Sequence, residues 1–149
     1  MALNTKKVLL GGLAAGVVLN IIDYVVNGMV LADRMKADAD AFKPGMSALM
    51  NSGSAIKIYI ITDFVVGLLL VWTYAAIRPR FGPGLRTASA AAILFWLLGS
   101  LFNVGYLQMG MMSAGLWWTY GLIWLVNLLI ASWVGGWAYT EDTATASAV

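Results

Sequence analysis

The chain has 149 residues, 61% of them hydrophobic and only 11% charged, with a formal net charge of +2. Soluble domains carry roughly 25% charged residues, so this composition points to an all-α integral membrane protein. Cysteine and histidine are absent, which removes disulfides, thiolate chemistry, imidazole metal ligation and histidine-based catalysis. The basic residues are scattered in ones and twos, so no nucleic-acid footprint is present.

Windows of the roughly 20 residues that a bilayer demands pick out four spans, at about 8–31, 55–77, 87–112 and 116–138. Lys6 and Lys7 precede the first span, and Arg78, Arg80 and Arg86 lie in the short loop 78–86 between the second and third. The loop between the third and fourth spans carries no charge. The positive-inside rule then predicts cytoplasmic termini and a cytoplasmic arginine loop, with those three arginines touching lipid headgroups. Loop 32–54 balances its acids and bases and is expected outside. Within it, the first helix is expected to run on to about Phe42 before Pro44 and Gly45 break it, with Met46 to Met50 lying along the membrane surface. Asp38 and Asp40 are expected on a solvated face, a cation-binding role being the alternative. A signal peptide is a weaker reading of the N-terminus, because the apolar run is about twice a normal signal core and contains Asn20, Asp23 and Asn27. The tail 140–149 follows the last span.

Two acids stand out within the spans: Asp23 in the first and Asp63 in the second. A carboxylate at mid-membrane costs a few kcal/mol even on lenient insertion scales, so both should face protein or water. At about 100° per residue, Gly12, Gly16, Asn20, Asp23 and Asn27 fall within an arc of about 80° on the first helix. Similar stripes hold Asp63 and Gly67 on the second helix, Gly99, Asn103 and Gly110 on the third, and Asn127 on the fourth. Small residues permit close helix approach in lipid and polar ones bond across the interface. Gly12, Gly16, Gly67, Gly99 and Gly110 are therefore expected as packing positions. At 1.5 Å of rise per residue, Asp23, Asp63, Asn103 and Asn127 all lie roughly 12 to 17 Å below the outer ends of their spans, which predicts one polar layer drawn from all four helices. Gly16 and Asn20 echo the spacing of Gly99 and Asn103, suggesting two helical hairpins arranged as a parallel repeat.

The stretch Ile77-Arg78-Pro79-Arg80-Phe81-Gly82-Pro83-Gly84, followed by Arg86, Thr87 and Ala88, resembles the central loop of a widespread group of small bacterial four-helix membrane proteins. The segment from Asn20 to Gly28 also resembles that group's first helix. The resemblance covers about a fifth of the chain and implies a bacterial inner-membrane protein, but it brings no activity, cofactor or catalytic residue with it. The chain also has the size and the first-helix acid of small multidrug transporters, with no further motif in common.

Two functional readings remain open from the sequence. In the first, the polar layer fixes helix register in a non-catalytic packing or accessory protein. In the second, Asp23 and Asp63 form a proton or cation site in a small transporter or channel, with Asn20, Asn27, Asn103, Asn127 and Thr62 as neutral partners. Lys57 is a candidate counter-ion for Asp63. No nucleophile motif, phosphate cradle or metal-ligand set is present, so neither a cofactor nor catalysis is expected. The expected partners are the lipid bilayer and either further copies of the chain or a larger membrane complex.

Overall fold

Each of three long helices begins where a short polar side chain can cap it. In the computed structural model, which describes residues 3–139, Asn4 Oδ1 accepts from Lys7 N (3.1 Å), Ser52 Oγ from Ala55 N (3.3 Å) and Ser113 Oγ from Leu116 N (3.4 Å). These bonds satisfy amides that would otherwise be orphaned in the first turn. The elements are α1 (Thr5–Val25), a π-helical turn (Val26–Val30), α2 (Ala32–Phe42), α3 (Met46–Met50), α4 (Gly53–Phe81), α5 (Leu85–Gln108) and α6 (Ala114–Ala138). Four segments, Thr5–Val30, Gly53–Phe81, Leu85–Gln108 and Ala114–Ala138, are long and apolar enough to cross a membrane. The tail 140–149 lies outside the described residues.

Two boundaries differ from expectation. Helix α4 runs through Pro79 to Phe81, so the loop expected at 78–86 shrinks to a turn at 82–84, where Gly82 and Gly84 take positive φ values of 82° and 116°. The third span stops at Gln108 instead of 112. There Gly110, at φ 71°, closes the helix as its N–H bonds Leu107 O and the N–H of Met111 bonds Tyr106 O. This is the paired-bond end that favours glycine in the left-handed region. Gly110 is therefore a helix stop and not the packing position its stripe suggested, and a side chain there would meet nothing within 4 Å.

Helix α1 packs along both α4 and α6, α5 packs on α6 and more lightly on α4, and α4 touches α6 across the centre. Helices α1 and α5 occupy opposite corners. The tightest seam is α1 against α4: a Cβ added to Gly67 would stand 2.5 Å from Gly16 N and 2.6 Å from Gly12 O. One added to Gly12 or Gly16 would strike Leu68 or Phe64. On the other side of α1, a Cβ at Gly11 would stand 2.6 Å from Gly135 O. Glycine is required at these places because backbone meets backbone. Ala15, Leu19, Leu70, Val71, Leu128 and Ala131 fill the adjoining core.

Helix α5 is held firmly only near its start. Thr87, Ala88, Ala91 and Ala92 are buried there, whereas Phe102 near the far end is 82% exposed. The α4–α5 turn is pinned by Thr87 Oγ1 donating to Gly82 O (2.7 Å), Gly84 N donating to the Tyr74 hydroxyl (3.2 Å) and Ser132 Oγ donating to Ala88 O (2.7 Å). Arg80 and Arg86 are exposed beside it. Arg78 departs from its expected outward contact: its guanidinium carbon lies 5.7 Å from the centre of the Tyr139 ring, folded over the end of α6.

At the opposite end, α2 and α3 form a clasp. Asp40 accepts from Ser47 N (3.0 Å) and Ser47 Oγ (2.7 Å), and Asp38 Oδ2 accepts from Ser113 N (2.7 Å), tying α2 to the α5–α6 turn. Both acids thus serve as acceptors for main-chain and hydroxyl donors. The helix break at Pro44 and Gly45 falls where the sequence placed it, Gly45 sitting at φ 81°.

Substituting Gly67 by alanine should force α1 and α4 apart and lower stability by about 1–3 kcal/mol. The same change at Gly121, where a Cβ meets nothing within 4 Å, should be neutral or stabilise by up to about 1 kcal/mol. Thermal unfolding of the two variants in detergent, followed by circular dichroism, checks the contrast. Asp40 gives a pH test. The Ser47 hydroxyl and amide bonds hold its carboxyl below its ordinary value of 3.8. Its contribution should therefore be complete above about pH 4 and be lost only as pH falls through the lower folded value. Ser47 amide exchange, compared at matched pH between the native chain and Asp40→Asn, should show protection that depends on Asp40 above pH 4 and converges in stronger acid.

Candidate functional site

Helix α1 delivers Asp23 toward the space between α4 and α6 because the same face that carries Gly12 and Gly16 continues through position 23. Asn127 Nδ2 on α6 donates to Asp23 Oδ1 at 2.7 Å. Asn127 is wholly buried, with 0% of its surface exposed, and its own Oδ1 has no hydrogen-bond partner. Asp63 on α4, half-buried, lies near enough to Asp23 for the two carboxylates to interact electrostatically. Tyr120, also on α6, lies near both acids and Tyr59, and its hydroxyl lies beside the Asn27 side chain. The Asn27 Oδ1 atom is buried without a hydrogen-bond partner.

The cluster therefore comprises Asp23 and Asn27 from the first span, Tyr59 and Asp63 from α4, and Tyr120 and Asn127 from α6. It sits where the α-helix of the first span gives way to the π turn Val26–Val30. Such single π turns inside α-helices occur often at functional sites. No lysine or arginine among the described residues acts on either acid. Lys57, the expected counter-ion, is exposed and is not among the groups that act on Asp63.

Three expected members of the polar layer stand apart. Thr62 is exposed on α4, and its hydroxyl donates back to Ile58 O at 2.8 Å, which satisfies it without a neighbour. Asn103 on α5 donates through its side-chain amide to Gly99 O (2.9 Å) in its own helix, and its main-chain carbonyl accepts from Trp117 Nε1 (3.2 Å). It lines a cavity of about 20 Å³ with Ser100, Trp117, Tyr120 and Trp124, enough for one water. Asn20 donates to Gly16 O (2.9 Å) and, at 3.4 Å, to Ile60 O across the α1–α4 seam. The single layer expected from four helices is thus a three-helix acid cluster and a separate α5–α6 cavity. They are separate because α5 has no contact face with α1, and Tyr120 is the residue common to both.

Helical spacing in the sequence already puts Tyr59 on the stripe of Asp63 and Tyr120, also an outer-interface aromatic by depth, on that of Asn127, but nothing in it marks either phenol as a site residue. The π turn had no sequence signal. Asn20 and Asn103 share one local geometry: each amide donates 2.9 Å to the carbonyl of the glycine four residues earlier. Those glycines face Phe64 and Trp124 respectively on the partner helix.

Replacing Asn127 by leucine should leave Asp23 without its donor and destabilise the bundle by about 1–2 kcal/mol. Thr62→Val, at an exposed and self-satisfied position, should fall within about 0.5 kcal/mol of the parent. Unfolding in graded denaturing detergent measures both. No family model, curated protein or solved structure matches this chain, so its site is defined by its own geometry.

Proposed function

We propose that this chain is a multi-pass protein of a bacterial inner membrane that handles a proton or a cation at Asp23 and Asp63. One observation carries the reading. Two carboxylates from neighbouring membrane-length helices interact with each other, and no basic side chain among the described residues acts on either. Intramembrane acids without a fixed counter-charge are characteristic of proton relays and ion pathways. Charge supports an orientation for this reading: Lys6, Lys7, Arg80 and Arg86 lie toward one end of the four membrane-length helices, the end that the positive-inside rule assigns to the cytoplasm. The acid pair then falls in the outer half of the bilayer.

The shared Gly–Asn geometry of α1 and α5, each facing an aromatic ring on the next long helix, supports a parallel repeat of two hairpins. So does the pattern of contacts, in which α1 relates to α4 and α6 as α5 relates to α6 and α4. Parallel repeats of this kind build several transporter folds. A cavity of about 20 Å³ is too small for a pathway, so the working unit on this reading is an oligomer whose subunits complete the route between them.

A second reading, a non-catalytic packing or accessory subunit, is favoured by a different observation. Asn20 donates across the α1–α4 seam to Ile60 O (3.4 Å), Asn127 ties α6 to α1 through Asp23 (2.7 Å), and the glycine seam locks α1 to α4, as expected of polar residues that set register.

The two readings part in reconstituted vesicles. On the transport reading, the native chain gives a flux that depends on an imposed pH gradient, and Asp23→Asn or Asp63→Asn abolishes it while the helical content and the oligomer persist. Absence of flux across protons, alkali and alkaline-earth ions, together with a stoichiometric set of co-purifying membrane subunits, sinks transport in favour of the accessory role.

A further inference from the structure

We infer that Asp23, Asp63 and the amide oxygen of Asn127 form an oxygen-only site for a hard divalent cation. The inference rests on the acid pair being the functional site, and it adds the class of ion. Three features of the cluster converge on it.

The donor set comes first. Every polar atom that faces the two acids is an oxygen or an amide: carboxylates, asparagine side chains and phenols. Thiolate, thioether and imidazole ligands, which select softer or borderline metals, are missing from the cluster. Carboxylate and carbonyl oxygens suit calcium, magnesium and manganese.

Charge is the second. The two carboxylates together carry up to two negative charges, and no basic side chain among the described residues answers them. One divalent ion balances the pair with a single occupant. A monovalent ion leaves one charge over in a setting where uncompensated charge is expensive.

The third feature is independent of the acids. Asn127 is wholly buried and its amide head is fixed in the cluster by the 2.7 Å bond from Nδ2 to Asp23. The Oδ1 of the same amide head, held next to Asp23 by that bond, has no donor. A buried carbonyl oxygen without a partner normally costs stability, and a cation satisfies it without requiring a proton donor. Asn27 Oδ1, buried and likewise without a hydrogen-bond partner near Tyr120, offers a second neutral oxygen one helical turn away. Both calcium and magnesium commonly complete their shells with water.

The test is equilibrium binding of Ca²⁺ and Mg²⁺, with Na⁺ as the comparison ion, to the full-length chain in detergent. Isothermal titration and the rise of the unfolding temperature with ion concentration are the two readouts. Saturable binding of a divalent ion that Asp63→Asn weakens by at least ~10-fold, with helical content retained, is the expected result. Asp63 accepts no hydrogen bond from the described residues, so this variant should fold; if it does not, Asn127→Ser carries the same comparison. Asp40→Asn serves as the control for the α2–α3 clasp and should bind as the native chain does. Divalent binding that survives Asp63→Asn, or that Asp40→Asn removes, overturns the inference. Absence of divalent binding alongside an Asp63-dependent proton or Na⁺ flux overturns the choice of ion and leaves the acid-pair reading standing. Absence of both binding and flux defeats the two together.

Discussion

The backbone contact between α1 and α4 governs everything else in the bundle. Gly67 lies against Gly12 and Gly16 so closely that no side chain fits between them, and this fixes the rotation of α1 about its own axis. Once that rotation is set, positions 20, 23 and 27 must follow the same face outward along the helix. Gly11, next to the seam, presents α1 to Gly135 of α6 in the same way. One helix is therefore held on two sides by main-chain contact, and the acid it carries is delivered to the space that α4 and α6 share.

That delivery explains why the cluster has three helices and not four. Helix α5 is anchored through small residues near its start and through Trp96, whose Nε1 donates to Gly121 O at 2.7 Å, while Trp124 fills the space over Gly99. Both rings fill the α5–α6 contact, and α5 shares no such contact with α1. The Asn103 amide is left to donate to its own helix at Gly99 O. Tyr120, on the face of α6 between these two settings, lines the cavity and lies near the acids.

Strength and specificity come from different parts of the molecule. In a bilayer, apolar surface gives helices little reason to prefer one another over lipid, so close packing along the glycine seam supplies the association. The polar groups contribute less energy and more register. The Asp23–Asn127 bond sets α1 against α6, and the Asp40–Ser47 clasp sets α2 against α3 outside the spans. An orphan carbonyl on a wholly buried asparagine is an exception to this economy. Asn27 Oδ1 beside Tyr120 is a second such exception.

The sequence by itself determined the number of spans, their approximate limits, the break after Phe42 and the inward faces of α1 and α4. Those follow from hydropathy over 20 residues, from Pro44 and Gly45, and from the 3.6-residue period, all of which are local quantities. It identified Asp23, Asp63 and Asn127 because acids and amides in an apolar run must find partners. Only the tertiary structure decided which of those candidates meet. Matched depth put Asn103 in the layer, but lateral position depends on which helices α5 packs against, and a count along one helix does not contain that. Thr62 left the layer because its hydroxyl can satisfy itself on Ile58. Gly110 became a helix stop because Leu107 and Tyr106 supplied the carbonyls for its turn. Tyr120 joined the acids because the rotation of α6 against α1 turns that ring inward, and a rotation between two helices is fixed by their contact and by nothing within either alone.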